Sequence, residues 1–178
     1  MTASGKAETG SANAGFARDM AVHHQQAVEL SFIVRDRTED EAVRRLAYDI
    51  INTQANQRGM LLGRLGAWGL PKCSQKAPMA WMNHDMEYTP YDGALMPGMA
   101  TDTDVDRLRT AEGKAAEVLY LKLMTAHHRG GVNMAQGAAD VPEDPMTARL
   151  AAGMVQGQRS EMNLMADMLD EHGVKAAR

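Results

Sequence analysis

The sequence predicts an all-α chain, folded as a four-helix bundle made of two repeated helical hairpins with a long irregular connection. Three observations carry this. Met-Xaa-Xaa-His-His occurs twice, as Met20, His23, His24 and as Met124, His127, His128. The copies are 104 positions apart, and that offset holds without a gap for about fifty residues, as an internal repeat requires. Phe16 matches Tyr120, Val28 matches Val132, Leu46 matches Leu150, Ile51 matches Val155, Gln54 matches Gln158 and Gly69 matches Gly173. Finally, residues 70–102 hold four of the six prolines and no sustained period, so the two periodic halves are separated by an irregular excursion.

Each element follows from local pattern. Residues 1–12 are small and polar and read as a flexible tail. A single bundle domain is expected over 13–178, with a hairpin at 13–69, a Met-rich excursion at 70–112 and a second hairpin at 114–173. Phe16, Met20, His23, Ala27 and Leu30 recur at three- and four-residue steps, which predicts a first helix from near Asn13 to near Asp36. Thr38 with Glu41 has capping-box spacing and should open the second helix. Leu46, Ile50, Gln57, Leu61 and Trp68 share its inner face, and Gly69 with Pro71 stops it. A short helix is expected over 104–110. The next long helix runs from Lys114 to Ala139 with Tyr120, Met124, His127, Gly131 and Met134 on one face. Asp144 and Pro145 suit the N-cap and first turn of the last helix, which ends before Gly173. A long crossover between two hairpins is the ferritin-like arrangement of such bundles. The repeat implies a pseudo-twofold axis that brings corresponding residues together inside.

Composition narrows the function. The chain has 178 residues, enough to bury a real core. Aromatic content is 4%, so aliphatic residues and the 15 methionines must fill that core. The net charge of −4 and the lack of a basic stripe argue against nucleic-acid binding. Cys73 is the only cysteine, so a thiolate cage is excluded and any metal must be held by nitrogen, thioether or oxygen. No transmembrane stretch or signal peptide is visible. Such a chain suits a cytoplasmic protein, or an exported one without its leader or anchor. No nucleophile elbow, phosphate loop or dinucleotide fingerprint occurs, so no enzymatic activity is expected.

The histidines carry the chemistry. Four of the six fall in the two motifs, and each pair is joined by a thioether. Imidazole plus thioether suits a soft ion such as Cu(I) or Ag(I). Across each hairpin the apolar stripe is broken by Gln54 and Gln57 in the first half, and by Gln158 and Glu161 in the second. One reading is therefore a copper site. The other is a buried His-Gln layer that sets helix register without metal. A di-iron site is disfavoured, because methionine stands where a Glu-Xaa-Xaa-His motif needs glutamate. Within the excursion, Met79, Met82, His84 and Met86 form a second candidate ligand cluster, followed by Met96 and Met99 in Met-Pro-Gly-Met. They either capture an ion or pack the excursion onto the bundle.

These motifs resemble a known family. Met96-Pro97-Gly98-Met99-Ala100 is similar to the turn of domain-of-unknown-function family 305 (DUF305), and Tyr120-Leu121-Lys122-Leu123-Met124-Thr125-Ala126-His127-His128 to its central helix. Gly131-Val132-Asn133-Met134-Ala135 continues that helix, and Gln158-Xaa-Xaa-Glu161-Met162-Xaa-Xaa-Met165 is similar to the one after it. Phe16, Met20, His23, His24, Ala27 and Gln54 carry the resemblance in the first half. Gln57 departs from the family's glutamate, Arg58 from its apolar residue and Leu30 from the methionine seen at Met134. The resemblance implies a ferritin-like bundle in a mostly exported or membrane-anchored family, some of whose members are linked to copper binding and tolerance. The expected role is sequestering or carrying Cu(I), with a copper-delivery protein as a possible partner. Met124, His127, His128 and Met134 form the expected stronger site, and Met20, His23 and His24 the weaker.

Overall fold

The computed structural model describes residues 11–82, 88–139 and 144–175. Among the described residues four long helices and one short one form the bundle: α1 (Ala12–Arg35), α2 (Glu41–Ala67), α3 (Asp102–Thr110), α4 (Gly113–Ala139) and α5 (Pro145–Glu171). Ser11 caps α1, so two residues of the expected tail belong to the first helix and its cap. Asp144 caps α5 with Pro145 in the first turn. The second cap differs from expectation. Asp40, not Thr38, accepts the amide of Val43 at 2.9 Å and opens α2. Thr38 is engaged elsewhere: its hydroxyl donates to the buried carboxylate of Glu117 on α4. Both residue types cap well, and a contact 79 residues away decides between them.

α1 packs along α2, α4 packs along α5, and α1 crosses α4. Two apolar cores result. In the first, Ala27, Leu30 and Val34 of α1 meet Ala116, Tyr120, Leu121 and Met124 of α4. The second joins Phe16, Ala17 and Met20 of α1 to Met134, Ala135 and Ala138 of α4. Residues before His23 therefore pack with residues after His127, and the reverse, so α1 and α4 run antiparallel. α2 and α5 supply both cores: Leu46 and Ile50 with Met165 and Leu169 to the first, Leu61 and Leu65 with Ala151 and Met154 to the second. Neither hairpin owns a core. Each fully buried aliphatic side chain contributes roughly 1.5–3 kcal/mol. Tyr120 is buried through a 2.8 Å hydrogen bond with Ser31 across the helix pair.

The excursion docks at defined points. Asp19 accepts the amide of Met79 at 2.7 Å and the indole N–H of Trp81 at 2.9 Å. Trp81 lies edge-on to Phe16. Further along, the 96–100 turn presses onto α4. Gly98 has φ +83°, and a Cβ there would lie 2.4 Å from the carbonyl oxygen of Ala126. A Cβ on Gly130 would lie 2.0 Å from the carbonyl oxygen of Pro97. Two glycines thus let the turn sit directly on the helix backbone. On the other flank Gln26 of α1 clamps the same turn, donating to the carbonyl of Ala100 at 2.9 Å and accepting its amide at 2.7 Å.

Candidate metal centre

Where α1 crosses α4, the two cores are divided by a polar layer. His23 and His127 stack at its centre, with ring centroids 3.7 Å apart and planes tilted by 33°. His24 and His128 flank them, and all four imidazoles are fully buried. This placement follows from helix geometry: an adjacent histidine pair on the inner face sends one ring to the crossing point and the next towards the hairpin partner. His24 donates from Nε2 to Oε1 of Gln57 on α2 at 2.8 Å. His128 donates from Nε2 to the Glu161 carboxylate on α5 at 2.6 Å. His127 donates from Nε2 to the main-chain carbonyl of His23 at 2.9 Å.

Burial keeps His23, His24 and His127 neutral. Loss of water pushes His23 down to about 3, helped by the neighbouring His24 and His128, with weak opposition from the Pro97 carbonyl. It pushes His24 down to about 4 against the opposing hydrogen bond from Gln57. His127 is held well below the usual imidazole range, first by burial and then by His23, His128 and His24. A neutral ring that donates from Nε2 carries its lone pair on Nδ1. The Nδ1 atoms of His24, His127 and His128 are buried without a hydrogen-bond partner. The side-chain amides of Gln54 and Gln158 are buried and unpartnered in the same layer. Such groups are rare in native interiors, where water, an ion or another polar group normally pairs them. Donation of the other ring nitrogen to a carbonyl or carboxylate is also how metal-ligating histidines are oriented.

Among the described residues, no three histidines bring ring nitrogens within 4.8 Å of one another. A site built on three imidazoles is therefore absent there, and thioether or oxygen donors would have to complete a ligand set. The placement of the thioethers corrects one expectation. Met124 and Met134 are ten residues apart on one helix, a rise of about 15 Å, and lie in different cores. They do not hold one ion together. Met20 and Met134 share the second core with Met96, while Met124 shares the first with Met165 and Met168. Of the excursion methionines, Met96 is buried, Met79 and Met99 pack partly buried against the second core, and Met82 reaches Gly137 on α4. His84 and Met86 lie outside the described residues. The excursion thus covers one side of the histidine layer and leaves the other to the first core.

The family profile described as "Domain of unknown function (DUF305)" matches residues 13–169. The chain belongs to the DUF305 family. The crystal structure of "putative secreted protein DUF305" from Streptomyces coelicolor is 58% identical, with a TM-score of 0.86 over 96% of this chain and 99% of that one. A DUF305 fragment from Deinococcus radiodurans is 31% identical, with a TM-score of 0.74 over 90% and 96% of the two chains. CopM in its Cu(I)-bound form shares the fold at 18% identity, with a TM-score of 0.68 over 90% and 96%. No curated protein sequence matches the chain.

In this DUF305 chain the sequence motif located the four histidines and their partners Gln57 and Glu161. Gln26 went unnoticed, because it acts through a contact 74 residues away. Its only signal is a polar residue on an otherwise apolar helix face.

Proposed function

We propose that this protein is an extracytoplasmic copper-binding protein that sequesters or carries Cu(I), with Ag(I) as an alternative cargo, and has no catalytic role. One observation carries the reading: His24 and His127, buried and neutral, donate from Nε2 and so keep Nδ1 lone pairs unpartnered between two methionine-bearing cores. Neutral nitrogen and thioether donors suit a soft monovalent ion. On the excursion side Met20, Met96 and Met134 are buried in the second core, and Met124 lies in the first core on the other side. Glu161 supplies a negative charge behind His128 to offset the cation. CopM, which shares the fold, is known in Cu(I)-, Cu(II)- and silver-bound forms. The extracytoplasmic placement rests on the relative from Streptomyces coelicolor, whose name describes it as secreted. Among the described residues no helix is long and apolar enough to cross a membrane. The test is anaerobic Cu(I) titration against a competing chelator, with Zn(II) and Fe(II) alongside. Tight, selective Cu(I) uptake at a defined stoichiometry is expected, and failure to compete with a weak chelator refutes the reading.

The rival is a metal-free helical bundle in which the layer sets register. The hydrogen bonds of His24 to Gln57 and His128 to Glu161 favour it. It predicts no copper uptake, together with a loss of stability when His23 or His127 is replaced.

A further inference from the structure

A second cluster of ligand-type side chains lies away from the histidine layer. Asp40 at the start of α2, Glu117 in the second turn of α4 and His172 at the end of α5 bring one ligand atom each within 4.8 Å of one another. Glu117 is buried. Its Oε1 accepts the Thr38 hydroxyl, and its Oε2 stands 3.5 Å from Nε2 of His172. Asp40 uses Oδ1 for the Val43 amide. Arg44, one turn further along α2, is turned to the main-chain carbonyls of Arg35 and Thr38 instead.

The corresponding corner of the other half shows what is unusual. Moving each residue by 104 positions replaces Asp40 by Asp144, Glu117 by Asn13 and His172 by Trp68. There Asp144 is the only carboxylate of the three, and Arg64 neutralises it at 2.7 Å while lying over the Trp68 ring. The counterpart of Arg64 is Met168. One corner therefore has one carboxylate and an arginine. The other has two carboxylates, one of them buried, with a histidine and no arginine in the matching place. A buried carboxylate without a compensating charge is costly.

We propose that Asp40, Glu117 and His172 form a second metal site, for a divalent cation of the Zn(II) class, separate from the histidine–methionine layer. Two carboxylates and an imidazole are oxygen and nitrogen ligands of the type Zn(II) accepts, and three protein ligands leave a fourth position for water. The ion's two positive charges cancel the two carboxylates. It ties the α1–α2 turn, the start of α4 and the end of α5 into one joint. The Thr38 hydroxyl, bonded to Glu117, orients the carboxylate from behind.

Calorimetric titration of the chelator-treated full chain with Zn(II) at pH 7 tests this. One equivalent is expected to bind, at least tenfold more weakly in His172→Ala and in Glu117→Gln, and with unchanged affinity in His128→Ala. Zn(II) should also raise the Tm of the wild type and not that of His172→Ala. Because His172 caps a helix end and is partly exposed, its variant keeps the test valid if Glu117→Gln fails to fold. Absence of saturable binding, equal affinity in His172→Ala, or loss of binding in His128→Ala would each overturn the proposal. None of these results depends on whether the histidine layer binds Cu(I).

Discussion

The two hairpins carry the same histidine pair, yet they present it differently. In the first, His24 donates to the neutral amide of Gln57 at 2.8 Å. In the second, His128 donates to the Glu161 carboxylate at 2.6 Å. A carboxylate behind an imidazole raises its basicity as a ligand and adds negative charge near a bound cation. The loop contacts diverge as well. Gln26 grips the 96–100 turn with a two-point hydrogen bond, whereas the matching Gly130 yields space so that Pro97 touches the helix. One half holds the turn by bonding and the other by having no side chain. The difference teaches that the halves share a scaffold and diverge around it: the second sets a carboxylate behind its histidine, and the first clamps the turn by hydrogen bonds.

Acid should expose the feature the halves have in common. The folded-state values of His23 and His24 lie near 3 and 4, and that of His127 is also depressed, against about 6.5 when unfolded. The unfolded chain therefore takes up protons first. The stability these rings contribute is complete above pH 6.5 and is lost as pH falls from there towards the folded values. The expected slope is up to about 4 kcal/mol per pH unit for the three rings together. Urea melts of the metal-free protein between pH 7 and pH 4.5 measure it, and a flat profile would show that the layer is hydrated.

Copper affinity should then separate the halves. Replacing His127 and His128 together by alanine is expected to weaken Cu(I) binding by at least about 100-fold, near 2.7 kcal/mol. Replacing His23 and His24 together should cost less. Chelator competition reads both, and equal losses would remove the asymmetry. The loop contacts come next. Gly130→Ala is expected to destabilise by about 1–3 kcal/mol through overpacking against Pro97. Gln26→Ala should cost about 1–3 kcal/mol by leaving the buried groups of Ala100 unpaired. Chemical denaturation measures both. The smallest effect is the sharpest test of the comparison. Glu161→Gln, which makes the second half resemble the first, should weaken Cu(I) binding by about tenfold. Gln57→Glu should strengthen it.

Much of the fold was legible because its signals are local. Apolar residues at helical spacing, Asp144 before Pro145, and the stops at Gly69 and Gly173 each act within a turn or two of chain. The motif placed the four histidines for the same reason. The sequence was silent where a residue's job depends on what approaches it. Thr38 and Asp40 compete for one cap, and only the distant Glu117 separates them. The pairing of Met124 with Met134 looked natural on a helical face. Ten residues of helix set them about 15 Å apart, one in each core. The choice of Nε2 as donor, which leaves Nδ1 available, is set by a carbonyl, a carboxylate and an amide brought in by other elements.

Both tryptophans of the chain belong to one end of the molecule. Trp68 is buried in the second core, and Trp81 packs against it from the excursion. The protein therefore contains an optical probe that views the histidine layer from one side. An ion arriving on the Met20–Met96 side should change indole emission, while one arriving beside Met124 and Met165 should leave it nearly untouched. A fluorescence trace recorded during metal addition would report the direction of entry with no label attached.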